Sequence, residues 1–480
     1  MQERKLAGLQ PQAVFTYFED ICAIPHGSYN TKEISDYLVD FAKKHDLRYI
    51  QDELNNVIIF GDATPGYEDH APIIIQGHMD MVCVKDPDCP KDMAKEGVDV
   101  THDGEFVFAN GTSLGADDGI AVAYALALLA DKSISRPALE VVITVDEETG
   151  MEGAAGIDLS MLRGKKLMNI DSDEEGVFTV SCAGGTKTTI SLPVQRRAVY
   201  GPCVRLTVEG LKGGHSGVEI HKPLANANKV MGEFLGRIQQ MMPVCITKLS
   251  GGEKDNAIPS FCQVTMVALG MYIERINDVA EALQKEIREN YDEPNAIVRG
   301  DDVDALGGNA LTTEDSAKVI ALLNAAPNGI QSGSQAIEGL VQTSLNLGVV
   351  QLAETLDMTF AVRSSVNQEK VDLVKRLEEL AAFYGATCDS RGDYPAWEYM
   401  KDSDLRDTMV KTYEDMYGKK PAVMAIHAGL ECGLLSEKLE GLDCISFGPQ
   451  AYDIHTPRER LSIASTQRLW NYLQEVLKNL

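Results

Sequence analysis

Short runs of β-branched and other apolar residues punctuate the first 185 positions, each followed by a stretch of helical rhythm. Val57–Phe60, Ile73–Ile75, Val141–Val145 and Leu167–Ile170 are the strand candidates. This alternation predicts an α/β domain with a mixed, mostly parallel sheet, because crossover helices must link parallel neighbours. Gly119–Leu129 reads as an apolar helix rich in Ala and Leu. It follows GTSLGADDG, whose glycines suit a tight entry into the helix.

The rhythm changes near Gly184-Gly185. Val204, Leu206 and Val208 alternate with their neighbours, as in a sheet with one covered face. A helix over Ala225–Met241 is predicted next, then strands near Val244–Leu249 and Gln263–Leu269, then a helix from Ile276 to Tyr291. That order suggests a separate α+β layer. It continues with Gln342–Leu347, Leu356–Arg363 and a helix over Gln368–Phe383, and ends at the turn-like SRGDYPAW around Gly392. Beyond it, Asp404–Met416 reads as a helix, Cys444–Phe447 as a buried strand and Thr466–Leu477 as a closing helix. The expected organisation is therefore one domain made of residues 1–185 and 393–480, with residues 186–392 inserted as a second.

Size agrees with two domains, since 480 residues exceed the roughly 250–300 at which single cores stop growing. The formal net charge of −28 would repel a polyanion, and no basic stripe offsets it, so nucleic acid is not an expected partner. The longest apolar run, Ala121 to Ala130, is far shorter than the ~20 residues that span a bilayer. Ten cysteines without a CxxC pair, and no signal-like apolar start, predict reduced thiols in the cytoplasm.

The acidic surplus contains a patterned subset. In IIIQGHMDM, His78 and Asp80 are two apart at a strand end and face the same side. Asp146, Glu147 and Glu148 directly follow the strand VVITV, Asp171 ends another, and His455 lies a short loop beyond the last strand candidate. Asp117-Asp118 stands at the entrance to the apolar helix. Open α/β sheets gather their sites at the carboxyl ends of strands, so these pieces point toward one crevice. A histidine beside a strand is commonly a structural hydrogen-bonder, and a run of acids commonly a solvated loop. Their joint recurrence at successive strand ends is different, because buried carboxylates without a partner are costly and call for a cation. Two imidazoles and three carboxylates (His78, Asp117, Glu148, Asp171 and His455) suit zinc and accommodate manganese or cobalt. Five ligands exceed the three of one open catalytic zinc. Shared between two ions with one bridging carboxylate, they leave room for a water, as in two-metal aminopeptidases.

The ordered set GHMD, LGADDG, DEETG, NIDSDEEG and DIHTPRER resembles the co-catalytic zinc peptidases that include carboxypeptidase G, peptidase T and carnosinases. GGHSGVEIH, GGEKDNAIP and AIHAGLECG extend the likeness over nearly the whole chain, toward the bacterial aminoacyl-histidine (beta-alanyl-histidine, Xaa-His) dipeptidases. The resemblance implies a catalytic domain of zinc-exopeptidase type with an inserted α+β lid that binds substrate, and a homodimer. It implies two divalent ions, Zn2+ or else Mn2+ or Co2+: His78 and Asp171 on one, Glu148 and His455 on the other, Asp117 between them. Glu147 becomes the general base and Asp80 the partner that orients His78, while Asp118 is read as a helix-entry hydrogen-bonder. Adjacent glutamates in two roles are chemically sensible, since a base cannot also be tied up as a ligand. In the lid, His215 is the implied oxyanion donor, Asn256 and Arg363 bind substrate, and Gly429 admits the backbone close to it. His221 and His427 receive no role, and His26, His45, His70 and His102 are read as surface or structural.

The implied activity is hydrolysis of short peptides, chiefly Xaa-His dipeptides such as beta-alanyl-histidine, in the cytoplasm. An aminoacylase or tripeptidase on the same scaffold is the near alternative. A non-catalytic peptide-binding protein is the alternative of a different class, against which the intact ligand set and Glu147 stand.

Overall fold

The computed structural model describes residues 4–268, 273–337 and 339–480, so Leu269, which closes one predicted strand, lies outside the described residues. The chain forms two compact units. The first takes the chain up to Ser181 together with Tyr399–Ala425 and Leu430–Leu480; the second takes Cys182–Glu398 and the short piece Ile426–Gly429. Backbone hydrogen bonds draw that piece into the second unit: the Ala183 amide donates to the carbonyls of Ile426 and Ala428, each at 3.1 Å.

The first unit is built on an eight-stranded mixed sheet. In spatial order its strands are Arg48–Gln51, Val57–Gly61, Leu139–Thr144, Ile73–His78, Lys166–Asn169, Asp443–Ser446, Val177–Cys182 and Ala422–Ile426. The four central strands, from Leu139–Thr144 to Asp443–Ser446, run parallel, and antiparallel strands flank them. Ile73–His78 and Leu139–Thr144 are buried at every position, as parallel strands covered on both faces must be. The helix Ala116–Ala130 is buried without a break from Asp118 to Leu129, which explains its lack of a polar stripe. It lies against the helix Gln12–Cys22, where a Cβ on Gly119 would touch Phe18 and Ile21 at 3.4 Å. That N-terminal helix and its successor, Lys32–Lys44, precede the first predicted strand and were not foreseen.

The second unit is built on a sheet that has nine strands among the described residues, and its strand pairings there are antiparallel. Val204, Leu206 and Val208 face a core that also takes Phe234, Leu323, Phe360 and Leu377 from the surrounding helices and strands. Asn226 starts the helix Ala227–Gln239 by accepting the amides of Asn228 and Lys229 on its side chain. The SRGDY segment, expected to be a turn, continues the edge strand Thr387–Tyr394. Gly392, at φ +62°, marks an irregularity there, and the register shifts between Arg391 and Tyr394. Among the described residues no helix is long and apolar enough to cross a membrane.

Candidate metal centre

The parallel register of the first unit brings its strand ends together. His78 pairs opposite Thr144, while Asn169 lies opposite both Gln76 and Ser446. Beyond these residues the chain delivers Glu147 and Glu148 on a one-turn helix, Asp171 two residues after its strand, and His455 on the loop that follows Ser446. Asp117 enters from the start of the buried helix. Its approach requires Gly77: a Cβ there would meet the Asp118 carboxylate at 2.5 Å and the Ala121 side chain at 2.6 Å. Asp146 and His455 adopt left-handed backbone conformations, at φ 54° and 60°. For residues with a Cβ such conformations persist only where surrounding contacts enforce them.

Asp117 stands between the two imidazoles. Its Oδ1 lies 3.2 Å from His78 Nε2 and its Oδ2 lies 3.1 Å from His455 Nε2. Asp171 Oδ1 is 3.9 Å from His78 Nε2, and Glu148 Oε1 is 2.9 Å from His455 Nε2. The Nδ1 of His78 faces the Asp80 carbonyl at 3.0 Å and its Oδ1 at 3.4 Å, which places the ring proton on that side. Its Nε2 faces Asp117 Oδ1, a pair satisfied by a proton on Nε2 or, with that proton displaced, by a metal cation held between them. Glu148 Oε1 is likewise buried and lacks an aligned hydrogen bond despite its closeness to His455.

Among the described residues, donor atoms within 4.8 Å of one another form three groups: His78 with Asp118 and Asp171, His78 with Glu147 and Glu148, and Asp117 with Glu148 and His455. The third fits one ion. For the first, Asp118 competes with Asp117, and hydrogen bonding decides between them. Asp118 Oδ2 already accepts the His78 amide at 3.1 Å, whereas both Asp117 oxygens face imidazole nitrogens. Asp118 therefore braces the backbone of His78 rather than acting at the helix entry alone. A mixed N/O donor set, half-buried and crowded with carboxylates, fits a pair of divalent ions.

Electrostatics follow the crowding. Burial alone would lower the pKa of His78, yet Asp117, Asp80, Asp171 and Glu147 raise it well above the usual imidazole range. Asp117 and Glu148 push His455 up to about 10. Burial, reinforced by neighbouring carboxylates, raises Asp171 strongly and carries Glu147 to about 8. Such a concentration of negative charge stabilises bound cations.

A supporting layer holds these groups. Asp80, fully buried, accepts the amides of Glu147 at 3.1 Å and Glu148 at 3.4 Å and the hydroxyl of Ser28 at 2.8 Å. Glu459, 3% exposed, accepts four successive amides, from Leu114 to Asp117. Glu431, wholly buried, accepts from Gln76 and Thr144 beneath the strand ends. Sequence reasoning singled out Asp80 but neither Ser28, Glu459 nor Glu431. Glu459 sits inside DIHTPRER, where an acid in an otherwise basic run was the available signal.

Within the second unit, the residues singled out there also gather. The pair Gly214-His215 bridges Ile258 and Ala257, and the Ser216 amide donates to the Asn256 carbonyl at 2.9 Å. His215 Nδ1 accepts the amides of Gly217 and Val218 at 3.2 and 3.1 Å, so its Nε2 carries the proton as a donor. Arg363 lies opposite Ser344 in the sheet and donates to the Tyr394 hydroxyl at 3.1 Å. His427 bonds through Nε2 to the Ser344 hydroxyl at 2.8 Å, two residues before Gly429. A Cβ on Gly217 would fall 2.5 Å from the His427 carbonyl and 3.0 Å from the His215 ring. His221 is exposed. Elsewhere His26 is buried against the Ile24 carbonyl, and His45 packs on Phe41.

The chain is similar to known proteins over its whole length. A "cytosol non-specific dipeptidase" of Escherichia coli (strain K12) is 37% identical over 483 residues, covering 99% of each chain. The crystal structure of an aminoacylhistidine dipeptidase from Vibrio alginolyticus superposes with a TM-score of 0.94 at 35% identity, over 100% of this chain and 98% of that one. An aminopeptidase from Bacillus cereus shares the fold, with a TM-score of 0.55 at 16% identity over 98% and 99% of the two chains. The description "Peptidase family M20/M25/M40" matches residues 74–479. The chain belongs to this family, and it is a hydrolase of peptide bonds.

Proposed function

We propose that the protein is a cytoplasmic dipeptidase that cleaves Xaa-His dipeptides such as beta-alanyl-histidine, working as a homodimer with two divalent ions, Zn2+ in preference to Mn2+ or Co2+. One observation carries the reading: the two carboxylate oxygens of Asp117 face different imidazoles, His78 and His455, at 3.2 and 3.1 Å. His78 and Asp171 would hold one ion, Glu148 and His455 the other, with Asp117 serving both. The names of two full-length relatives, a non-specific dipeptidase and an aminoacylhistidine dipeptidase, support the substrate class.

When bound, the ions polarise the scissile carbonyl and lower the pKa of water from about 15.7 toward 7. Glu147, held by the bond from its own amide to Asp80, takes a proton from the attacking water on its carboxylate and returns it to the leaving amine. Asp80 fixes the ring of His78 and the start of the Glu147 turn at once. In the second unit, taken as the lid, the Nε2–H of His215 donates to the developing oxyanion. Arg363 pairs with the free carboxylate of the dipeptide, Asn256 adds a polar contact, and Gly429 admits the substrate close to the backbone. Assays of beta-alanyl-histidine, an N-acetyl amino acid and a tripeptide side by side test this. Preferential cleavage of the dipeptide is expected; hydrolysis of the N-acetyl compound or tripeptide in its place overturns the reading.

A further inference from the structure

Beneath the strand ends of the first unit lies a chain of buried polar side chains, Asn169, Gln76, Thr144 and Glu431, all belonging to that unit. The Asn169 side-chain amide donates to Gln76 Oε1 at 2.6 Å, and Gln76 Nε2 donates to Glu431 Oε2 at 2.6 Å. The Thr144 hydroxyl donates to the same carboxylate oxygen at 2.7 Å. Glu431 opens the helix Glu431–Lys438 and stands 355 positions beyond Gln76 and 287 beyond Thr144. Only the fold brings these groups together.

The polarity of the chain is set from the Glu431 end. An acceptor there obliges Gln76 to turn its amide nitrogen toward Glu431 and its oxygen toward Asn169, which must present its own nitrogen in turn. Three strands are thereby pinned through their side chains, at positions that the register also couples: Gln76 lies opposite Asn169, and Thr144 opposite His78. Each pinned residue leads directly into the metal centre. Gln76 is two residues before His78, Asn169 two before Asp171, and Thr144 three before Glu147. Their backbones join in, because the Thr144 carbonyl accepts the Met79 amide at 2.9 Å and the Gln76 carbonyl accepts the Ile170 amide at 3.0 Å.

Burying such a network is unfavourable. Among the described residues, Glu431 Oε1 and Asn169 Oδ1 are buried without a hydrogen-bond partner, and burial raises the pKa of Glu431. An apolar side chain would fill the space without that penalty, but it would not distinguish one strand register from the next. The arrangement therefore serves precision at the strand ends rather than stability.

We propose that Glu431 is a positioning residue for hydrolysis: through Gln76 and Thr144 it locks the strand ends that carry His78, Glu147-Glu148 and Asp171 in their reacting arrangement. The inference rests on the two-ion reading above, in which those residues hold the ions and the base. Glu431 acts through the bonds it accepts, so the site requires an acceptor at position 431 and not a charge.

The test compares Glu431→Leu, Glu431→Gln and Thr144→Val in the full chain. With Zn2+ saturating and beta-alanyl-histidine as substrate, Glu431→Leu should lower kcat about tenfold or more with KM within about twofold of native, because the loss falls on the reacting geometry. Glu431→Gln keeps an acceptor and should restore kcat to within about threefold of native. Thr144→Val keeps the shape of the strand side chain, removes one donor, and should add nothing in the Glu431→Leu background. The visible bands of the Co2+-loaded chain, which report ligand geometry, should shift in Glu431→Leu and stay native in Glu431→Gln. They read the centre without turnover, so a failure of the Xaa-His preference leaves this test standing. Should Glu431→Leu fold poorly, Thr144→Val carries the test through the same two readouts. Native kcat and native bands in both Glu431→Leu and Thr144→Val, or a Gln variant as impaired as the Leu variant, overturn the proposal alone. A native chain that gives no cobalt bands refutes the two-ion reading and the proposal with it.

Discussion

Glu459 ties the loop of His455 to the loop of Asp117: its buried carboxylate accepts the amides of Leu114, Gly115, Ala116 and Asp117 at 2.7, 3.1, 2.8 and 3.4 Å. Hydrogen bonds to a charged acceptor are worth about 1.5–3 kcal/mol each, and orphaned buried amides add a penalty. Glu459→Ala should therefore lose on the order of 3 kcal/mol of stability and weaken metal retention, although Glu459 faces neither imidazole. Thermal unfolding with calorimetric titration of Zn2+ checks this. Unchanged metal affinity would mean that Asp117 is positioned by something else.

Glu147 is assigned proton transfer and no metal. Glu147→Ala should lower kcat by about 10²–10⁴-fold, the range for a positioned general base, while metal content stays at the native level. Turnover and elemental analysis on the same preparation decide it, and loss of the ions together with activity would contradict the role.

Ser28 acts through Asp80. Its hydroxyl donates to that carboxylate, which also holds the amides of Glu147 and Glu148 and faces the His78 ring. Ser28→Ala removes one charge-assisted bond, so kcat should fall about tenfold, roughly 1.4 kcal/mol. The fold should be unaffected by circular dichroism. A kcat equal to that of the native enzyme would remove Ser28 from the network.

His427 makes the second unit sensitive to acid. Burial, and then the charge of Arg363, push its pKa down from the usual 6.5 to about 4. Between those values the unfolded chain binds a proton that the folded chain refuses. The contribution is thus complete above pH 6.5 and disappears as pH falls toward 4, a change on the order of 3 kcal/mol. Thermal midpoints of the native protein and His427→Asn at pH 7.5 and 4.5 read the difference. The variant should lose less stability on acidification, and parallel losses would refute the assignment.

The parts of this site legible in the sequence share one property: each follows an apolar strand or opens an apolar helix, so the pattern itself marks His78, Glu147, Glu148, Asp171 and Asp117. Parallel register then brings them together, which the alternation of strands and helices already implied. Ser28, Glu431 and Glu459 escape such reasoning because their partners are backbone amides or buried polar side chains distant in sequence, as with Asp117 and Glu459, 342 positions apart. The SRGDY segment misleads for a local reason. Its Gly392 supplies the positive φ of a turn but is used for an irregularity in an edge strand. Ile426–Gly429 joins the second unit through bonds to Ala183 that no periodicity encodes.

The central claim is a two-ion centre shared through Asp117. Elemental analysis of purified protein after exhaustive dialysis, alongside Asp117→Ala, tests it most directly. Two transition-metal ions per native chain, falling to one or none in the variant with loss of dipeptide hydrolysis, are predicted. A fully active native enzyme holding a single ion, or a variant that keeps both, would contradict it.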